Sequence, residues 1–230
     1  EALYGFGSHE EGIFNYRGKR QLLYQHNMKV VIPMMLSTNG YGVLFDAYCP
    51  MVFDDTGDEA RIEFRTISEL DYYFMYGPEF DDIVPLYRDL TGPAPMLPRW
   101  AFGYAQSKER YKTQAELLEV VREYRERNIP LDLIILDWRS WVGELWGQKS
   151  LDPERFPDPD TMTEELHALG ARLMVSIWPH MRNNGSNQVE MLKKEMRLGN
   201  RSTYDAHNPS ARELYWKHAN DGLFSHGIDS

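Results

Sequence analysis

The sequence predicts an antiparallel β-sandwich followed by a parallel β/α layer, on three observations. From Tyr4 to about Phe74, short apolar or alternating runs are separated by turn residues. A stiff connector, Gly92-Pro-Ala-Pro-Met-Leu-Pro98, then breaks that texture. Beyond it, apolar runs alternate with segments of helical period, as βα units around a parallel sheet do.

In chain order, strands are expected at residues 21–26, 30–36, 42–45 and 61–67. Turn signals lie between them at Arg17-Gly18, Asn39-Gly40 and residues 54–58. A short helix over residues 79–90 presents Ile83, Leu86, Tyr87 and Leu90 on one side. After the connector, residues 100–106 read as a strand. Thr113 and Glu116 have capping-box spacing and open a helix whose apolar face is Leu117, Leu118, Val120, Val121 and Tyr124. Asn128-Ile129-Pro130 ends it. Residues 131–136 are almost continuously apolar, as expected of a strand covered on both faces. A helix over residues 161–169 stops at Gly170, residues 172–177 form another buried strand, and Asn208-Pro209 starts a further helix. The expected organisation is a β domain over residues 1–75, a helical and proline-rich connector over 76–97, and β/α units over 98–230.

Composition narrows the function classes. The chain has 230 residues, 42% hydrophobic and 26% charged, which is ordinary for a globular protein. With 25 Lys plus Arg against 35 Asp plus Glu, its net charge of -10 disfavours nucleic acid and anionic membrane surfaces as partners. Neutral sugars are untouched by that argument. Cys49 is the single cysteine, which excludes an intrachain disulfide and a cysteine metal cage. No apolar run reaches the roughly 18 residues of a membrane span. The N-terminus, Glu-Ala-Leu-Tyr-Gly, has no signal core and reads as the middle of a larger protein, so the compartment stays open. Residues 96–230 hold three to four β/α units, where a closed (β/α)8 barrel needs eight. Half a barrel would leave apolar strand edges in water, so the layer is either an open doubly wound sheet or part of a larger barrel. The abrupt ends favour the second.

The candidate site residues cluster where two buried strands end. Asp137 directly follows one of them; a carboxylate there accepts two hydroxyls from one sugar, pairs with Arg139, or caps a helix. Trp138, Trp141 and Trp146 crowd the following loop, where large apolar rings pack inward or against ligand. Arg139 and Lys149 are donors for ring hydroxyls or an acetamido carbonyl, or else solvated charges. Trp178 and His180 end the next strand within Trp-Pro-His. No His, Asp or Glu cluster has zinc-ligand spacing.

Five ordered segments carry a family resemblance. They are Leu3-Tyr-Gly-Phe-Gly-Ser-His-Glu with Pro33 to Phe45, Pro98-Arg-Trp-Ala-Phe-Gly-Tyr-Ala-Gln-Ser-Lys-Glu-Arg-Tyr111, Leu133-Ile-Ile-Leu-Asp-Trp138 continuing to Phe156-Pro-Asp-Pro159, Ser176-Ile-Trp-Pro-His180, and Tyr204-Asp205 to Ala211-Arg212. Together they resemble glycoside hydrolase family 31, and the Asp137-Trp-Arg-Ser-Trp141 variant resembles its α-xylosidase-like and α-N-acetylgalactosaminidase-like members. The resemblance implies the end of an N-terminal β-sandwich followed by the first units of a (β/α)8 catalytic barrel, incomplete in this chain. It implies a retaining α-glycoside hydrolase acting on a terminal α-N-acetylgalactosaminide, α-xyloside or α-glucoside, with no metal or cofactor. Asp137, Trp138, Arg139, Trp141, Trp146, Lys149, Trp178 and His180 would bind the sugar. By the same resemblance the aspartate nucleophile and acid/base lie beyond residue 230, and Asp229 occupies an earlier aspartate of the nucleophile motif. A non-catalytic carbohydrate-binding or interaction fragment is the alternative expectation.

Overall fold

The first part of the chain forms seven strands. They are β1 (Leu3–Ser8), β2 (Arg20–Leu23), β3 (Val30–Ser37), β4 (Tyr41–Phe45), β5 (Met51–Asp54), β6 (Arg61–Phe64) and β7 (Tyr72–Tyr76). Of these, β2 and β6 alternate buried or partly buried with exposed side chains. The computed structural model describes every residue from Glu1 to Ser230, in two units that divide between Pro95 and Met96. In the first unit the strands form two antiparallel sheets, ordered β1-β3-β4-β7 and β2-β5-β6. One apolar cluster joins Leu3 and Phe6 of the first sheet to Leu23, Met51 and Phe53 of the second. Strands β1, β5 and β7 are additional to the four expected runs, and the last two show why. Met51, Val52 and Phe53 are all buried, and β7 is aromatic or apolar throughout, so neither shows a period of two. Helix α1 (Phe80–Thr91) buries Ile83 against Met34 and Met75. Its apolar face is narrower than expected, because Leu86 and Leu90 stay 38% and 46% exposed.

The second unit opens irregularly. Residues 100–106, expected as a strand, instead form a 3-10 turn over Arg99–Phe102 and the two-residue strand β8 (Ala105–Gln106). Phe102 and Tyr104 point to solvent, so their apolar character does not report burial here. Helix α2 (Gln114–Glu126) starts where the spacing indicates: the Thr113 hydroxyl accepts from Glu116 N at 3.1 Å. The Glu116 carboxylate reaches back one residue further than in the standard box, to Lys112 N at 2.6 Å. Strand β9 (Leu133–Leu136) follows, then α3 (Pro159–Ala168), capped by Asp158 at Thr161 N and ended by Gly170 at φ 71°. After β10 (Arg172–Val175) come α4 (Ser186–Lys193) and α5 (Pro209–Gly222), the latter capped by Asn208. Helix α4 was not expected, since only Gln188 and Met191 of its eight residues are buried. No helix is long and apolar enough to cross a membrane.

Strands β8, β9 and β10 form one parallel sheet with β9 in the middle. Ile134, Leu136 and Leu173 pack with Leu117, Val121, Met162 and Leu166 of α2 and α3 in a single cluster. The last residues run beside β10: Asp229 N donates to the Leu173 carbonyl, and Val175 N donates to the Ser230 carbonyl. The Asp229 carboxylate accepts from Leu173 N at 3.0 Å, His167 Nε2 at 2.8 Å and Arg172 at 3.2 Å.

Leu173 is fully buried in this cluster. Leu173→Ala is expected to cost about 2–5 kcal/mol in urea unfolding. Leu90→Ala on the exposed flank of α1 should stay within about 0.5 kcal/mol.

Candidate active site

The site begins with the register of two strands. Leu136 of β9 pairs with Val175 of β10, and Ser176 N donates to the Leu136 carbonyl at 3.1 Å. Parallel strands end at the same edge of the sheet, so Asp137 and the Ser176–His180 segment emerge together at the carboxyl end, where β/α sheets bind ligands. Asp137 is partly buried, and Trp138 N donates to its Oδ1 at 2.9 Å. Its Oδ2 takes no hydrogen bond from the protein. The next two residues, Trp138 and Arg139, have φ of 34° and 56°. For bulky residues that conformation costs about 1–3 kcal/mol each, and it persists only where surrounding contacts impose it. Arg155 supplies them. Its Nη2 donates to the carbonyls of Arg139 and Trp141 at 2.5 and 2.7 Å, while its Nε bonds Asp152 at 2.8 Å. The guanidinium in turn holds the Asp152 carboxyl below the usual range.

Four indoles converge above the strand ends. The Trp146 ring lies 6.0 Å from Trp138, 5.9 Å from Trp141 and 5.2 Å from Trp178, all at steep angles. Trp178 leaves β10 and Trp138 leaves β9, so this cluster physically joins the two strand ends. Trp141 is almost fully buried and packs on Trp146, while the other three keep partial exposure. The indole N–H groups of Trp141, Trp146 and Trp178 are buried and find no acceptor within the protein. The loop comes this close to β10 because residue 147 is glycine. Its φ is 72°, and a Cβ there would sit 2.1 Å from the His180 carbonyl.

The remaining candidates are drawn into the scaffold to different degrees. Lys149 is only 3% exposed. Its Nζ donates to the carbonyls of Gly147 at 2.6 Å and Trp178 at 2.5 Å, 4.4 Å from the Tyr215 ring centroid. It faces no carboxylate, and burial, reinforced by Arg197, pulls its pKa down to about 7. The ammonium therefore lies beneath the loop, tying it to the end of β10. His180 accepts from Arg182 Nε at its Nε2, which leaves Nδ1 facing Thr203 Oγ1 at 3.5 Å. Burial and the neighbouring Arg182 and Arg197 lower its pKa, so the ring is neutral near pH 7. Arg139 stands over the Trp138 ring at 4.9 Å and bonds both oxygens of Glu144 at 2.8 Å.

Sequence reading passed over Arg155, Arg110 and Tyr215. The Asp152/Arg155 spacing was visible as a local pair, but its bonds to carbonyls 14 and 16 residues upstream were not. Tyr215 approaches from α5, a contact that no local pattern announces.

Two outcomes follow. Gly147→Ala is expected to push the loop off β10, which a loss of near-UV tryptophan ellipticity with preserved far-UV signal would register. The Lys149 proton also makes stability depend on pH. Below about 7 both folded and unfolded chains carry it; between about 7 and the ordinary 10.5 only the unfolded chain does. Wild-type stability should therefore rise with pH across that window relative to Lys149→Met. A melting-temperature difference between the two that is flat from pH 6 to 10 would show that the ammonium is solvated.

Comparison with known proteins matches this architecture. Residues 94–230 match the glycosyl hydrolases family 31 TIM-barrel domain. An α-xylosidase of Saccharolobus solfataricus is 38% identical over 100% of this chain, which spans 33% of that protein. A family 31 glucosidase, ORF2 of Pseudescherichia vulneris, uncharacterized, is 32% identical over 99% of the chain, which spans 45% of it. Among solved structures, a GH31 α-xylosidase from a soil metagenome complexed with xylose aligns with a TM-score of 0.90 and 32% identity, over 99% of this chain and 35% of that one. The chain thus spans less than half the length of these relatives. With a family match over more than half of its residues, including the sheet that carries Asp137 and Trp178, the chain belongs to glycoside hydrolase family 31.

Proposed function

We propose that the chain is part of a retaining α-glycoside hydrolase that removes a terminal α-linked sugar, an α-xyloside before an α-glucoside or α-N-acetylgalactosaminide. The observation that carries this reading is Asp137, with an unoccupied carboxylate oxygen, at the end of β9 beside an indole cluster shared with β10. The names of the α-xylosidase relatives, and the xylose in one related structure, support the choice of sugar. In this reading residues 1–75 end an N-terminal β-sandwich domain, 76–97 connect, and 98–230 form the first three to four units of a (β/α)8 catalytic barrel.

Asp137 accepts two adjacent sugar hydroxyls in charge-assisted bonds and so fixes the ring's orientation. Trp138, Trp146 and Trp178 offer apolar edges and faces to the C–H side of the ring, and Trp141 supports them from below. Arg139 donates to hydroxyls at the rim, and His180, held neutral, lines the end of β10. Lys149 contributes by holding the Trp178 carbonyl and the loop together. Double displacement uses two carboxylates about 5–5.5 Å apart, one attacking the anomeric carbon and one serving as acid and then base. Asp229 is not the attacking group: its oxygens are occupied by Leu173 N, His167 and Arg172.

The test uses the complete enzyme and nitrophenyl α-glycosides of xylose, glucose and N-acetylgalactosamine. Release of the α-anomer first, followed by NMR, with xylose preferred, is the expected result; the β-anomer as first product would sink the retaining assignment. Asp137→Ala should lower kcat/KM by roughly 100-fold or more, the worth of two charge-assisted bonds. Its melting temperature should stay near wild type, since the only protein donor to the carboxylate is the adjacent Trp138 N–H.

A further inference from the structure

A second group of charges stands beside Trp138. Arg139 and Arg110 both approach its ring, with their guanidinium carbons 4.9 and 6.0 Å from the centroid. With Gly143, Glu144, Asp152 and Arg155 they line a cavity of about 210 Å³. The chain as a whole carries a net charge of -10, yet this cavity gathers three guanidinium groups against two carboxylates.

The charges are not equally committed. Arg155 and Asp152 bond each other at 2.8 Å, and Arg155 also holds two loop carbonyls, so that pair belongs to the scaffold. Glu144 meets Arg139, but its side chain is 70% exposed, and an ion pair so open to water is weak. Arg139 Nε is buried without an acceptor. The Arg110 side chain has no hydrogen bond or ion pair with the protein, and its guanidinium stands over the Trp138 ring. The bland reading, a solvated surface pair, accounts for Arg139 and Glu144. It leaves unexplained a second arginine brought to the same indole with no anion of its own.

Guanidinium donors converging on one small cavity match the planar, two-oxygen geometry of a carboxylate. Trp138 adjoins Asp137 in the chain, so the cavity borders the end of the sheet where the sugar is bound. We infer that this cavity is a subsite for a carboxylate carried on the leaving group of the substrate, as in an acidic oligosaccharide, with Arg110 as its specificity-determining residue. The inference rests on the α-glycosidase reading. The substrate carboxylate displaces Glu144 from Arg139 and gains Arg110, while Glu144 turns to water about Gly143, which already has φ of 49°.

The test compares, in the complete enzyme, 4-carboxyphenyl with 4-carbamoylphenyl α-glycosides of xylose and glucose, which differ in charge but little in shape. Sugar release should favour the carboxylate by roughly tenfold in kcat/KM at low salt, a preference that shrinks in ~0.5 M NaCl. Arg110→Met should abolish the preference and leave the carbamoyl rate unchanged, and Glu144→Gln should widen it. Equal rates for the two aglycones, or a preference that survives Arg110→Met, would overturn the inference while leaving the glycosidase reading intact. Quenching of tryptophan fluorescence by the same compounds separates the two ideas. If no α-glycoside is cleaved but the carboxylate still quenches wild type more than Arg110→Met, the cavity binds a carboxylate, while the glycosidase reading and the leaving-group role that rests on it both fall. If neither cleavage nor selective quenching occurs, both fall.

Discussion

Parallel pairing of β9 with β10 is the constraint from which the candidate site follows. Two parallel neighbours cannot be joined by a hairpin; they need a crossover, here the loop after Asp137 and helix α3. That connection does two things at once. It returns the chain to the start of β10, so that both strands end at one edge of the sheet. It also carries Arg155 to a place from which one side chain reaches the Arg139 and Trp141 carbonyls. The segment that makes the pairing possible therefore also holds the loop after β9 in its left-handed turn at Trp138 and Arg139.

The loop carries several costs that a purely structural turn would avoid. Two bulky residues sit at positive φ, a lysine is buried without a counter-ion, and two indole N–H groups of the loop, with that of Trp178 beside it, find no protein acceptor. Each works against stability. They concentrate within one aromatic cluster at the carboxyl ends of the strands, the place where an α/β scaffold puts its chemistry. Strain and unsatisfied donors at such a place mark a surface set apart from the packed core. Lys149 shows how such a cost is contained. Its ammonium bonds two carbonyls and lies against Tyr215, and the remaining penalty appears as weakened proton affinity rather than as a gap in packing.

Electrostatics divides the region into two environments. Asp137 and the indoles suit neutral hydroxyls and C–H faces, for which the protein's overall negative charge is immaterial. The arginines around Trp138 form a local positive excess within an acidic chain. Membership in family 31 is consistent with the first environment, and the α-xylosidase relatives share the sheet that builds it. The second depends on Arg110 and Arg139 both coming to the Trp138 ring, from segments almost thirty residues apart in sequence.

Residue order alone was enough to locate the change of texture at the Gly92–Pro98 connector, the caps at Thr113, Asp158-Pro159 and Asn208-Pro209, and the two apolar runs that become β9 and β10. These are local properties: capping needs a side chain and a backbone N–H two or three residues apart, and a strand buried on both faces announces itself by composition. It also singles out Asp137 and the tryptophans as candidates, because a carboxylate and indoles directly after such runs are conspicuous, and the structure brings the indoles together at the strand ends. Local pattern failed where burial, not periodicity, decides. Residues 100–106 look like one strand, but only Ala105–Gln106 is a strand, after a 3-10 turn that leaves Phe102 exposed, while β5 and β7 are strands without alternation. Only the tertiary structure decided what each candidate touches. Lys149 and Arg139 are both cations in one loop, yet the first is buried on two carbonyls and the second stands at a cavity mouth. That difference arises from where β10, α5 and the 99–111 segment come to lie around the loop, and contacts between residues distant in sequence leave no mark in the spacing of either.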